Sequence, residues 1–521
     1  MLTRLFQTWW TLTRRALHTA SIEWSMRADD SIPVETRQSL PVTTYLIRMI
    51  LWFTYGTYRL ARLSYGIERS RRIALDGDTL ETTVTYRAGL PLVSEVRSCD
   101  ILDGLDLRAA AYAEAYSLGV CESAALSLTG QLVFRTISDE ALIQWMMAST
   151  QANSIVHTGG HTYVWGGDVF PVGEWAADLQ YLPSFQAPDV VRIHLDTVQG
   201  TIVYEDRAGQ LVSTGDPRYP AARYHGMAMI AQATTIGGLH SWVHFHLQSI
   251  IAEGVALHLR PASVLHSLLT PHVRFVHYIN YQALWKNSST TPDLQEPTFA
   301  FGMSIDDSVL GGIHRGVHEK YVQQYGKGTG RCFFEPESED EPYLPYHRIL
   351  DAYYQNIEAF VARVLPAVDQ AEYLAFEAYV QDKYVGEWFP SDRTWETRAT
   401  CLLSCFIHQT SVVHSIDHYS FWVMVAAGGL PSRVRKTSFG PSTRDLFHTA
   451  CANNMFSYTH PMARETPGNH LLIDTVYGFS PPGLQSTVDA FHVALRETET
   501  DLRSKHLVYC PLSKMYASTC G

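Results

Sequence analysis

The sequence predicts a mainly α fold, a large helical bundle with small peripheral β-structure, and three observations carry that expectation. Helical patterns occupy residues 227–257, 345–365 and 397–425, and two of these stretches hold a pair of histidines four residues apart. Strand-like pieces are short, at 82–86, 130–135 and 200–204, which suits hairpins at the edge of a helical body. No run of alternating strands fills a β-sandwich ahead of the helical part.

With 521 residues and 46% hydrophobic side chains, the chain has enough apolar material for a large core. Its formal charge of -12 argues against a nucleic-acid partner, which calls for a basic surplus. The eight cysteines show no CxxC and no regular framework, so free thiols in a reducing, cytoplasmic setting are expected.

Residues 1–90 read as an N-terminal amphipathic and apolar helical region able to associate with a membrane, and 91–521 as the main domain. Within the first region, 1–22 combines Arg4, Arg14 and Arg15 with Phe6, Trp9 and Trp10 and has no acid before Glu23. A surface helix, a first helix of the fold and a targeting segment all fit that pattern. Residues 45–66 are the most apolar stretch, yet Arg48 and Arg59 leave only 49–58 uninterrupted. A spanning helix needs roughly 20 apolar residues, so an interfacial or buried helix is expected instead.

Residues 158–175, rich in Gly and aromatics, read as a loop. The spaced glycines lack the strand-to-helix setting and the Lys-Ser/Thr of a phosphate-binding loop. Residues 325–343 mix Gly, Pro and acids and read as an exposed loop.

The histidine pairs carry the chemistry. His240 and His244 lie four apart in a helical pattern, which puts both imidazoles on one face, and His414 and His418 repeat the spacing. Two such helices side by side would offer four nitrogens to one cation, and neutral imidazole suits iron, zinc, copper or nickel. The alternative is hydrogen-bonded core histidine, in a chain that has 23 of them. His246 also follows His240: at about 100° per residue it points about 120° away, whereas His244 returns to within about 40°. His244 is preferred on that geometry, with His246 as the alternative ligand.

Several segments resemble the lipoxygenase catalytic domain. SVLHSLLTPHVRF (263–275) followed by YINYQA (278–283) is similar to the run that follows that family's first pair of iron-binding histidines. TSVVHSIDHYSFW (410–422) is similar to its second ligand helix, GGLPSRVR (428–435) to its Pro-rich segment, and SKMYASTCG (513–521) has the length of its closing tail. The resemblance covers roughly 225–521 and does not extend to an N-terminal lipid-binding β-sandwich.

That resemblance implies a lipoxygenase-like helical bundle and a non-haem iron dioxygenase, with manganese as the alternative metal. The reaction implied is insertion of O2 into a polyunsaturated fatty acid or related lipid to give a hydroperoxide. It implies metal ligation by His240, His244, His414, His418 and the main-chain carboxylate of Gly521, and a substrate or oxygen-control position at Ala283. The equivalents of His266 and His272 in the family are structural. Three departures keep other outcomes open: i+4 rather than i+5 spacing of the first pair, Ile236 where the family has Gln, and a terminal Gly. Those outcomes are a hydroperoxide isomerase or specialised-metabolite oxygenase on the same scaffold, and a metal-free lipid- or membrane-binding relative.

Overall fold

The computed structural model describes residues 67–75, 78–87, 90–93, 138–166, 185–232, 243–244, 247–273, 276, 344–383, 393–417, 434–436, 471–505, 510, 512 and 515–518. Among them the fold is mainly α, as the sequence predicts. Eight α-helices form the body: α1 (Asp139–Ala148), α2 (Tyr219–Gln232), α3 (Ser249–His258), α4 (Val264–Val273), α5 (Pro345–Val364), α6 (Gln370–Lys383), α7 (Trp395–Ile407) and α8 (Gln485–Ser504).

Helix α5 is the axis. Its buried residues, among them Tyr346, Ile349, Leu350, Tyr353, Ile357, Phe360, Val361 and Val364, recur at three- and four-residue intervals and make one apolar stripe. Pro345 opens the helix at a position where its missing N–H costs nothing. The stripe packs against α7 and α8, and the Phe360 and Phe491 rings stack with centroids 4.4 Å apart. Thr394 caps α7, its side chain accepting from the Thr397 N–H, and Ser138 caps α1 in the same way through Ala141.

An antiparallel five-stranded sheet lies against this body in the order β4 (Ile155–Gly159), β5 (Thr162–Gly166), β7 (Val190–Asp196), β8 (Thr201–Asp206), β9 (Leu211–Ser213). Trp165, Ile193, Leu195, Ile202 and Tyr204 are buried and join the same core as the helices. The strand expected at 200–204 is β8. Residues 158–166, expected as loop, instead turn a hairpin: Gly159 and Gly160 take φ of 127° and 62°, conformations that favour glycine, and β4 and β5 pair on either side. A short pair joins β6 (Phe185–Gln186) to β10 (Val434–Arg435).

Helix α2 crosses β7 and β8 at close range. A Cβ on Gly226 would lie 2.5 Å from the ring of Tyr204, which is fully buried. Gly226→Ala is therefore expected to lose about 1–3 kcal/mol through overpacking, read as a lower urea-unfolding midpoint.

A second correction concerns the N-terminal region. The described residues of 67–93 are not helical but form an antiparallel three-stranded sheet, β1 (Ile67–Leu75), β2 (Asp78–Arg87) and β3 (Leu90–Val93). Thr79, Thr82, Thr83, Val84, Thr85 and Tyr86 make β2 rich in residues that fit a pleated surface, and the strand-like piece at 82–86 lies within it. The division at residue 90 falls at β3, which pairs with β2. The apolar segments at 1–22 and 45–66, and the strand-like piece at 130–135, lie outside the described residues. No described helix is long and apolar enough to cross a membrane. Cys401 and Cys510 are reduced, but Cys405, buried in α7, is disulfide-bonded. Spacing alone does not reveal which cysteines the fold brings within reach.

Candidate metal centre

Helix α7 runs into His408–Val413, which is wound as a π-helix, and resumes α geometry over 414–417. The His414 N–H donates to the Gln409 carbonyl, five residues back, which is the signature of that winding. Val243, His244, Leu247 and Gln248 are π-wound as well and lead into α3. The straight α geometry used to prefer His244 over His246 therefore does not hold locally.

The two π-wound segments bring His244 and His414 together from positions 170 residues apart. Their Nε2 atoms are 3.0 Å apart, and the rings meet at 72° with centroids 4.8 Å apart. Both residues are buried. Either one imidazole donates to the other, or both lone pairs face a shared cation. Two nitrogens each about 2.1 Å from a cation and at right angles to one another are about 3.0 Å apart, so the separation fits neighbouring ligands of an octahedral metal. Among the described residues no group of three His, Cys, Asp or Glu comes together. His240, His246, His418, Gly521 and Ala283 lie outside the described residues.

Apolar side chains flank the pair in sequence, with buried polar groups among them. Val243, Leu247, Val413 and Ile416, which flank the histidines in sequence, belong to the buried core. His408 lies within 2.9 Å of the Leu350 carbonyl and edge-on to the Tyr354 ring, and burial lowers its pKa to about 3. Burial also pushes the Asp417 carboxyl well above the usual carboxylate range, opposed by hydrogen bonds from Thr150 and Tyr346.

The closing segment of the chain is built into this region. Residues 515–518 are buried apart from a half-exposed Tyr516. The Leu472 N–H donates to the Met515 carbonyl at 2.8 Å, Leu471 and Tyr516 form an antiparallel bridge, and the Tyr516 N–H donates to Ser415 Oγ at 2.9 Å. The Ala517 carbonyl accepts from Ser411 Oγ at 2.7 Å and lies 2.7 Å from His272 Nδ1. His272 Nε2 is 3.2 Å from the Tyr477 hydroxyl, and burial lowers the His272 pKa to about 4. Sequence reasoning passed over Ser411, Ser415 and Tyr477. A pair of serines four apart beside a candidate ligand was the available signal.

A half-open cavity of about 720 Å³ between the far ends of α5 and α7 is lined by Tyr354, Glu358, Leu365, Arg393, Trp395 and Cys401. Cys401 and His414 lie about 20 Å apart along the helix at 1.5 Å per residue. The cavity thus belongs to another part of the surface.

No family model matches the sequence, and no curated protein matches it. Solved structures do. The structure of coral 8R-lipoxygenase aligns with a TM-score of 0.56 at 10% identity, covering 91% of this chain and 82% of that one. A LOX deletion variant in complex with arachidonate gives 0.55 at 10% identity, over 90% and 82%. The manganese lipoxygenase of Gaeumannomyces graminis gives 0.54 at 12% identity, over 86% and 92%. At such low identity the likeness shows the architecture alone: this chain has a lipoxygenase-like fold.

Proposed function

We propose that the chain is a lipoxygenase-like oxidoreductase, a non-haem iron dioxygenase that uses O2 to convert a polyunsaturated fatty acid into a hydroperoxide. The observation that carries this reading is the meeting of His244 and His414 Nε2 atoms at 3.0 Å inside an apolar core. His240, His418 and the Gly521 carboxylate complete the donor set in this reading, with His246 as the alternative to His244 and manganese as the alternative to iron. Ala283 is assigned to control of substrate or oxygen. An arachidonate complex and a manganese lipoxygenase of the same fold support the fatty-acid class and manganese as the alternative metal.

A bound redox metal of this kind supplies one-electron chemistry that side chains lack. The chain's own residues supply ligand orientation and dryness. His244 lies on a π-wound segment and His414 directly follows one, which brings their Nε2 atoms together. Val243, Leu247, Val413 and Ile416 keep bulk water away, which strengthens the few polar interactions inside. An apolar acyl chain is favoured in such surroundings and a polar metabolite is not.

Purified protein should contain about one iron or manganese per chain by elemental analysis. It should also take up oxygen with linoleate or arachidonate as conjugated-diene absorbance rises. A protein grown with both metals that holds neither and consumes no oxygen would leave only the lipid-binding alternative standing.

A further inference from the structure

We propose that His272, together with Ser411 and Ser415, is a positioning residue that seats residues 515–517 against the turn presenting His414, and so sets the affinity of the metal site. This inference rests on the metal-centre reading above. Ser411 and Ser415 bracket His414 on its own helix, and each is tied to the closing segment: Ser411 Oγ donates to the Ala517 carbonyl, and Ser415 Oγ accepts from the Tyr516 N–H. From α4, His272 reaches the same Ala517 carbonyl across 245 residues of sequence, and its Nδ1 also lies 3.0 Å from Ser411 Oγ.

The hydrogen-bond inventory closes around that carbonyl. A carbonyl oxygen only accepts, so His272 Nδ1 carries the proton, and Nε2 is left to accept from the Tyr477 hydroxyl. With Ser411 as second donor, both Ala517 lone pairs are used. Three consecutive residues thus dock on three elements: Met515 on Leu472, Tyr516 on Ser415, Ala517 on His272 and Ser411. Removing donors from a buried carbonyl leaves it unsatisfied, and the segment gains by leaving for water. Its departure removes the partners of Ser411 and Ser415, the two residues that bracket His414.

The test uses the full chain and Co2+, followed by its visible absorption, alongside hydrogen exchange of residues 515–518. Ser411→Ala and His272→Ala are expected to weaken Co2+ binding at least tenfold and to speed exchange at 515–518, with exchange in α5 unchanged. His272→Asn places an amide N–H near the Nδ1 position and should recover most of the affinity, which loss of core volume alone would not allow. Ser411→Ala carries the test if His272→Ala does not fold. Faster exchange at 515–518 with wild-type Co2+ affinity would overturn the inference alone. Wild-type protein that binds no Co2+, iron or manganese would remove the metal reading and the inference with it.

Discussion

His414→Ala is expected to strip the protein of its metal and to lower oxygen uptake by more than about 100-fold. Partners that merely orient a ligand are worth about 10–100-fold in affinity or activity, so a direct donor should exceed that range. The Nε2 of His414 lies 3.0 Å from His244 Nε2, and each imidazole limits where the other can place a cation. The substitution also leaves a void in a fully packed region, so the unfolding midpoint must be followed in parallel. Metal content and oxygen uptake should collapse while the folded spectrum persists. Wild-type metal content in this variant would remove His414 from the donor set.

The second large effect is acid unfolding. Burial holds the His272 and His347 imidazoles down to about 4 and His408 down to about 3, against an ordinary value of 6.5. The unfolded chain therefore takes up protons below pH 6.5 that the folded chain refuses. Stability from these groups is intact above about pH 6.5 and is lost as pH falls toward 4. Each buried imidazole accounts for on the order of 3 kcal/mol at the bottom of that window. Three together rival the whole stability of a typical domain, so the protein should unfold between about pH 6 and 4. Urea midpoints across that range would show the slope. A midpoint that stays level from pH 7 to 4.5 would mean these histidines are not buried neutral.

Much of the helical body was legible because amphipathic stripes announce themselves. The pattern at 345–365 gave α5 almost to the residue, since its exposed positions are polar and its buried ones aromatic or aliphatic. The strands were legible only where β-branched residues cluster, as in β2 and β8. Strand β1, IERSRRIAL, hides behind charges, and the β4–β5 turn hides behind glycines that suit any loop.

At the site, four-residue spacing singled out two pairs of which His244 and His414 meet edge to face, while His240 and His418 lie outside the described residues. The π winding on both segments was not legible, because periodicity analysis presumes 3.6 residues per turn. The seat of the closing segment was equally hidden, since no local rule links His272 to a carbonyl 245 residues away.

The π-wound turn at His408–Val413 changes the phase of its helix. Closing a turn with five-residue hydrogen bonds accommodates one extra residue, so everything beyond it is rotated by about 100° relative to an uninterrupted helix. Upstream, Leu402, Leu403 and Phe406 stay in the register that packing on α5 demands, while downstream His414 and Ser415 occupy another register. One continuous element can thereby satisfy two independent angular requirements. A single-residue deletion inside that turn would force a choice between them.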